Sequence, residues 1–302
     1  MTGSARGRTG GSRYGERVPL VAAAVCPHPP LIVPELAGAA AAELAELRRA
    51  ADAAVARLLA CAPDGLVLVG TGPATGWITP PAVGSFRPWG VDLSVPLPTG
   101  PGDDRPLPPG PGDSRLPPGP GDSRLPAGPG DAAPFPPPAA PAAGGFPATT
   151  DAPTLPLSLA VGAWLLARHR VGAPVDAVQV TAGASPGELA ELAGQVHRRR
   201  PRVALLVLGD GSACHGTKAP GYADPLAGAY DDGVARALAD ADAEALLGLD
   251  PALSARLKVA GRGPWQVLAG AARAAGGDWR GDLTYHDAPY GVAYFVATWE
   301  PA

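Results

Sequence analysis

The sequence predicts an α/β fold, a mainly parallel central sheet with helices on its faces and a long Pro/Gly-rich insertion. Three observations predict it. Short apolar runs bounded by glycine, proline or aspartate recur at 20–25, 65–70 and 203–208, as expected of strands covered on both sides. Between them lie segments whose apolar residues recur at helical spacing. Strand and helix alternate, the order that builds a parallel sheet.

The elements follow in order. Residues 20–25 form the first strand, which stops at Cys26-Pro27-His28-Pro29-Pro30. Prolines fix φ and restrict the residue before them, so His28 is held on a stiff turn at the strand's carboxyl end. That edge is where open α/β sheets bind ligands. Leu44, Leu47, Ala51, Val55 and Leu58 make the apolar stripe of a helix over 39–59. The second strand, 65–70, ends in the turn Gly70-Thr71-Gly72-Pro73. A helix is expected at 157–168, a strand at 175–180, and at 186–199 a helix with acids early and bases late, matching its dipole. The apolar run 203–208 is the next strand; helices at 231–247 and 264–274 and a strand pair near 283–285 and 292–299 close the chain.

Two segments fall outside this pattern. Residues 1–17 are rich in Gly, Arg and Ser and carry no apolar h-region, so they read as a disordered tail and not as a secretory signal. Residues 18–302 read as a single domain interrupted at about 74–152. Within the interruption Leu107-Pro-Pro-Gly-Pro-Gly-Asp-Ser-Arg115 recurs unchanged as residues 116–124, and 18 of the 39 prolines fall between Pro96 and Pro147. That density excludes helix and paired strand. Glycine is not at every third position, which excludes collagen. The expectation is a flexible, partly polyproline-II surface insertion.

Composition narrows the function classes. A net charge of −4 gives no footprint for nucleic acid. No apolar run is long enough to span a bilayer. Cys26, Cys61 and Cys214 have unrelated spacings, so neither a disulfide framework nor a zinc site is indicated, and a reduced, cytoplasmic protein is expected. The expected partner is a small molecule, aromatic or anionic, with neither nucleic acid nor membrane; a homodimer is compatible with the sequence.

Three strand ends converge on one edge of such a sheet. The first brings His28, the second Thr71, and the third Gly209-Asp210-Gly211-Ser212-Ala213-Cys214-His215-Gly216, followed by Lys218. The glycines let the backbone approach a ligand, and Asp210 and His215 are suited to serve as acid, base or metal ligand. Two histidines and one carboxylate are enough for a facial Fe(II) triad. The alternative is that Asp210 and Ser212 satisfy turn amides. Neither phosphate-binding glycine motif is present. His169 and His197 sit among helix-terminal arginines and are expected to be solvated, while His286 lies beside Tyr285 and Asp287 before the last strand.

His28-Pro29-Pro30-Leu31-Ile32-Val33-Pro34-Glu35 resembles the opening motif of the catalytic subunit of class III extradiol ring-cleavage dioxygenases and of the related Memo-like proteins. Leu208-Gly209-Asp210-Gly211-Ser212 resembles the family's Ser-Gly-Asp-Leu-Ser-His segment; Tyr230-Asp231, residues 245–251 and residues 260–265 resemble the helical part that follows. The resemblance implies an oxidoreductase on an α/β fold, with non-heme Fe(II) held by two histidines and a glutamate and a further histidine as acid/base. Carried over position by position, His28 alone survives as a ligand. Residues 70–76 contain no histidine, Ala213 stands where the acid/base histidine belongs, and no acid occurs between Val259 and Gly277.

The candidate metal ligands are therefore His28 and Asp210, the candidate catalytic groups Asp210, His215 and Lys218, and the candidate substrate contacts Thr71, Ser212 and His286. Two functions stay open. One is a dioxygenase-like enzyme with a degenerate, rebuilt iron site and altered or lost activity. The other is a metal-free binding protein or a non-oxidative enzyme on the same fold.

Overall fold

The structure, a computed structural model, describes residues 20–100 and 153–302. Its first part contains β1 (Leu20–Cys26), α1 (Pro34–Ala37), α2 (Ala45–Ala60), β2 (Gly65–Thr71), β3 (Gly76–Ile78), β4 (Val83–Ser85) and β5 (Ser94–Pro96). The second contains β6 (Thr154–Leu155), α3 (Leu157–Ala167), β7 (Val175–Val180), α4 (Pro186–His197) and β8 (Val203–Leu208). It continues through α5 (Ala227–Ala239), α6 (Ala243–Leu247), α7 (Pro251–Arg256), α8 (Arg262–Ala275), β9 (Trp279–Asp287) and β10 (Tyr294–Pro301).

Among the described residues the main sheet has seven strands in the order β3-β7-β2-β8-β1-β10-β9. The α/β class holds, and the four central strands β7, β2, β8 and β1 run parallel. The sheet is mixed overall, because β3, β10 and β9 pair antiparallel with their neighbours. For β9 and β10 the reason is the short link between them, which can only join antiparallel strands; a parallel pair needs a long crossover.

Strand alternation divides the interior into two cores. Ala23, Val25, Val67, Val69, Leu205 and Val207 point to the side of α4, α5 and α8, around Trp265. Ala22, Ala24, Leu66, Leu68, Ala204 and Leu206 point to the side of α2 and α3. The expected stripe on α2 is there: Leu44, just before it, and Leu47, Ala51, Val55 and Leu58 are all buried. Gly162 lets α3 approach closely, since a Cβ there would sit 2.9 Å from both Leu68 and Leu208.

Residues 74–100, expected to belong to the flexible insertion, are folded instead. β3 lies along β7, and β4 pairs with β5 antiparallel and with β6 parallel to make a second, three-stranded sheet. Ala82, Phe86, Val95, Leu97 and Leu155 join the α2–α3 core. This small sheet covers the side of α3 that faces away from the main one, which is why Ser158 through Leu166 are buried all round. Strands of two or three residues are too short to leave a periodic signal, and the nearby prolines hid what remained. The tail and the repeat at 101–152 lie outside the described residues.

The helix expected at 231–247 is two helices. Ala241 takes a left-handed φ of 52°, and Asp242 caps α6 by accepting from the amide of Ala245 at 2.9 Å. Short polar side chains favour such caps over helix interiors. His169 and His197 are half-buried rather than solvated, and His169 Nε2 lies 3.6 Å from Asp52. All three cysteines are free. No helix among the described residues is long and apolar enough to cross a membrane.

Candidate functional site

β8 lies between β2 and β1, so the turns that follow β8 and β1 are neighbours at the carboxyl edge. There the structure joins His28 and Asp210. The backbone N–H of His28 donates to Asp210 Oδ1 at 2.8 Å, and its ring Nδ1 lies 3.5 Å from the same oxygen. That second distance is too long for a good hydrogen bond. His28 is 7% exposed, and its Nδ1 is buried without a hydrogen-bond partner among the described residues. The turn is stiff as the prolines require: Ile32 N–H bonds back to the Pro29 carbonyl at 3.0 Å, and Gly209 N–H bonds the Cys26 carbonyl at 3.0 Å.

Burial pushes the Asp210 carboxyl above the usual carboxylate range, with His28 opposing the shift. Tyr294 opens β10, the strand that pairs with β1. Burial, and then the charge of Asp210, push the Tyr294 phenol up as well. Both groups are thereby held toward their protonated, hydrogen-donating forms.

Gly209 and Gly211 serve packing rather than approach to a ligand, contrary to expectation, while Gly216 is open and takes a left-handed φ of 81°. A Cβ on Gly209 would meet Gly261 Cα at 2.6 Å and Trp265 Nε1 at 2.9 Å, and one on Gly211 would meet Asp231 Oδ1 at 2.6 Å. The strand end docks backbone-first on the start of α8, where Gly261 N–H bonds the Asp210 carbonyl at 2.8 Å.

The remaining predicted residues divide. Ser212 is not a substrate contact: it is fully buried, its N–H donates to Asp231 Oδ1 at 3.0 Å, and its hydroxyl donates to Asp231 Oδ2. His215 also meets Asp231, its Nε2 lying 2.6 Å from Oδ2. Lys218 is exposed and makes no ion pair among the described residues, so it is not brought to Asp210. Thr71 stands at the same edge one strand away from β8, its carbonyl accepting from Ser158 Oγ at 2.6 Å; no hydrogen bond among the described residues links it to the His28–Asp210 pair. His286 is on β9, the outermost strand, where its ring stacks on Phe295 with centroids 4.8 Å apart. A surface groove bounded by Ala241, Ala272, Arg273, Gly277 and Trp279 lies at the far end of α8 and includes none of these residues.

Sequence reasoning missed two residues. Tyr294 sits in an apolar strand with nothing to set it apart. Asp231 lies within the amphipathic α5, where an acid reads as solvated; its one signal was the Tyr230-Asp231 pair in the family-like stretch.

As metal donors, His28 and Asp210 are two, and no group of three His, Cys, Asp or Glu side chains converges among the described residues. A facial Fe(II) site needs three. Among the described residues this pair falls one ligand short of that site.

No protein-family model matches the chain, and no curated protein does. Among solved structures it is similar to the crystal structure of the uncharacterized protein JW3007 from Escherichia coli K12. The two share 11% identity, with a TM-score of 0.45 over 93% of this chain and 99% of that one. That level of likeness carries no functional inference.

Proposed function

We propose that the carboxyl edge around His28 and Asp210 is a metal-independent binding site for a small molecule presenting a carboxylate or carbonyl oxygen. In this reading the extradiol-dioxygenase-like scaffold is kept without its iron chemistry. One observation carries it: two residues 182 positions apart are joined at 2.8 Å, beside a buried imidazole nitrogen with no hydrogen-bond partner among the described residues. A buried polar atom left unpaired costs about 1–3 kcal/mol, which a ligand recovers by bonding it. When its carboxyl is protonated Asp210 is a donor, as are the Tyr294 hydroxyl and an imidazole N–H. A carboxylate, which only accepts, matches that set. In the dioxygenases that the chain resembles, iron supplies the binding of catecholate and dioxygen; no step here is routed through it.

The test is calorimetric titration of the full chain with benzoate, protocatechuate and catechol. Benzoate and protocatechuate bind, and catechol, lacking the carboxylate, binds more weakly. Losing the imidazole in His28→Ala weakens benzoate about tenfold, the worth of one charge-assisted hydrogen bond. The sign of the pH dependence follows from the raised Asp210 carboxyl. Below its pKa the carboxyl donates to benzoate; above it the ionised group repels it. Affinity therefore rises as pH falls through that range, and Asp210→Asn flattens the profile. Unchanged affinity in His28→Ala, or a wild-type profile independent of pH, would falsify the reading.

A further inference from the structure

We infer that Asp231 and His215 form a second, water-activating dyad beside the carboxyl edge, able to hydrolyse small activated acyl esters. The inference does not depend on the His28–Asp210 reading. Asp231 is 1% exposed and accepts two bonds from Ser212, so toward His215 it also acts as acceptor and Nε2 carries the proton. That fixes the tautomer and leaves Nδ1 as the acceptor. The ring is partly open, with the side chain 29% exposed, while its orienting partner is sealed. This is the base-and-orienter half of a catalytic triad.

The ring is not needed to hold its loop. The His215 N–H already bonds the Gly291 carbonyl at 3.1 Å, Ala213 bonds Leu257 at 2.9 Å, and Gly221 bonds Ala213 at 2.7 Å. The same loop presents Tyr222 to solvent at 79% exposure, in a left-handed conformation of φ 63°. A bulky residue in that region is strained, and such strain concentrates at functional sites. Ser212 is not the nucleophile, because its hydroxyl is buried and donates to Asp231 rather than to His215.

The nucleophile is therefore water. His215 Nδ1 takes a proton as the water oxygen adds to the ester carbonyl carbon. The adduct then collapses, breaking the ester C–O bond; the proton passes to the departing alkoxide, and the acid and the alcohol leave. Asp231 is a positioning residue that balances the transient imidazolium.

The experiment follows para-nitrophenyl acetate hydrolysis by the full chain across pH, with circular dichroism to confirm that each variant is folded. His215→Ala loses on the order of a hundredfold in rate, and added imidazole restores it beyond imidazole's own background. Asp231→Asn displaces the limb of the pH–rate profile that His215→Ala abolishes. His197→Gln changes neither. A wild-type rate no faster than free imidazole at equal concentration overturns the proposal. So does a folded His215→Ala variant that keeps the wild-type rate, or one that imidazole fails to rescue.

Discussion

Phe86→Ala lowers the free energy of unfolding by about 3–5 kcal/mol, the usual cost of emptying a fully buried aromatic site. Phe86 is 0% exposed, and its amide and carbonyl are tied to Leu93 and Trp89 at 2.9 Å each. The backbone cannot readily collapse into the space the ring leaves. Urea denaturation of the wild type and the variant measures the difference. A loss below about 1 kcal/mol, the size of a surface substitution, would show that β4 and β5 are decoration and not part of the α2–α3 core.

Removing the carboxylate of Asp231 has a comparable effect for a different reason. In Asp231→Ala the Ser212 amide and hydroxyl lose their acceptor in a fully buried position, and the His215 ring loses its anchor. Breaking a buried, charge-assisted cluster by deleting one member costs about 3 kcal/mol. The same variant accelerates hydrogen exchange at the Ser212 amide, which measures the local opening directly. An exchange rate that stays at the wild-type value would mean the strap from Gly211 to His215 is held by its backbone bonds alone.

The sequence was most legible where burial is two-sided. β1, β2 and β8 are short apolar runs bounded by turn residues because helices cover both of their faces. The same fact made the pairing of His28 with Asp210 readable, since the ends of parallel neighbours share an edge. Other features carried no local signal. β4 and β6 pair across the repeat, and each is too short to show a period. Uniform apolarity marked α3 as a buried helix, but nothing in it named the second sheet that covers its outer side. The glycines at 209 and 211 suggested ligand approach; their use is to let the strand end pack on Gly261 and Trp265 and on Asp231 and Phe295. Ser212 is polar and sits in a turn, the pattern of a ligand contact, and only its contact with an aspartate 19 residues away shows it to be sealed inside.

The central claim is that the carboxyl edge around His28 and Asp210 binds its small molecule without iron. Anaerobic incubation of the full chain with Fe(II), removal of free metal and elemental analysis tests it most directly, followed by exposure to air with protocatechuate and a panel of catechols. The account predicts iron far below stoichiometric, no difference between the wild type and His28→Ala, and no yellow ring-opened product. Near-stoichiometric iron that disappears in His28→Ala, together with ring-opened product, would contradict it.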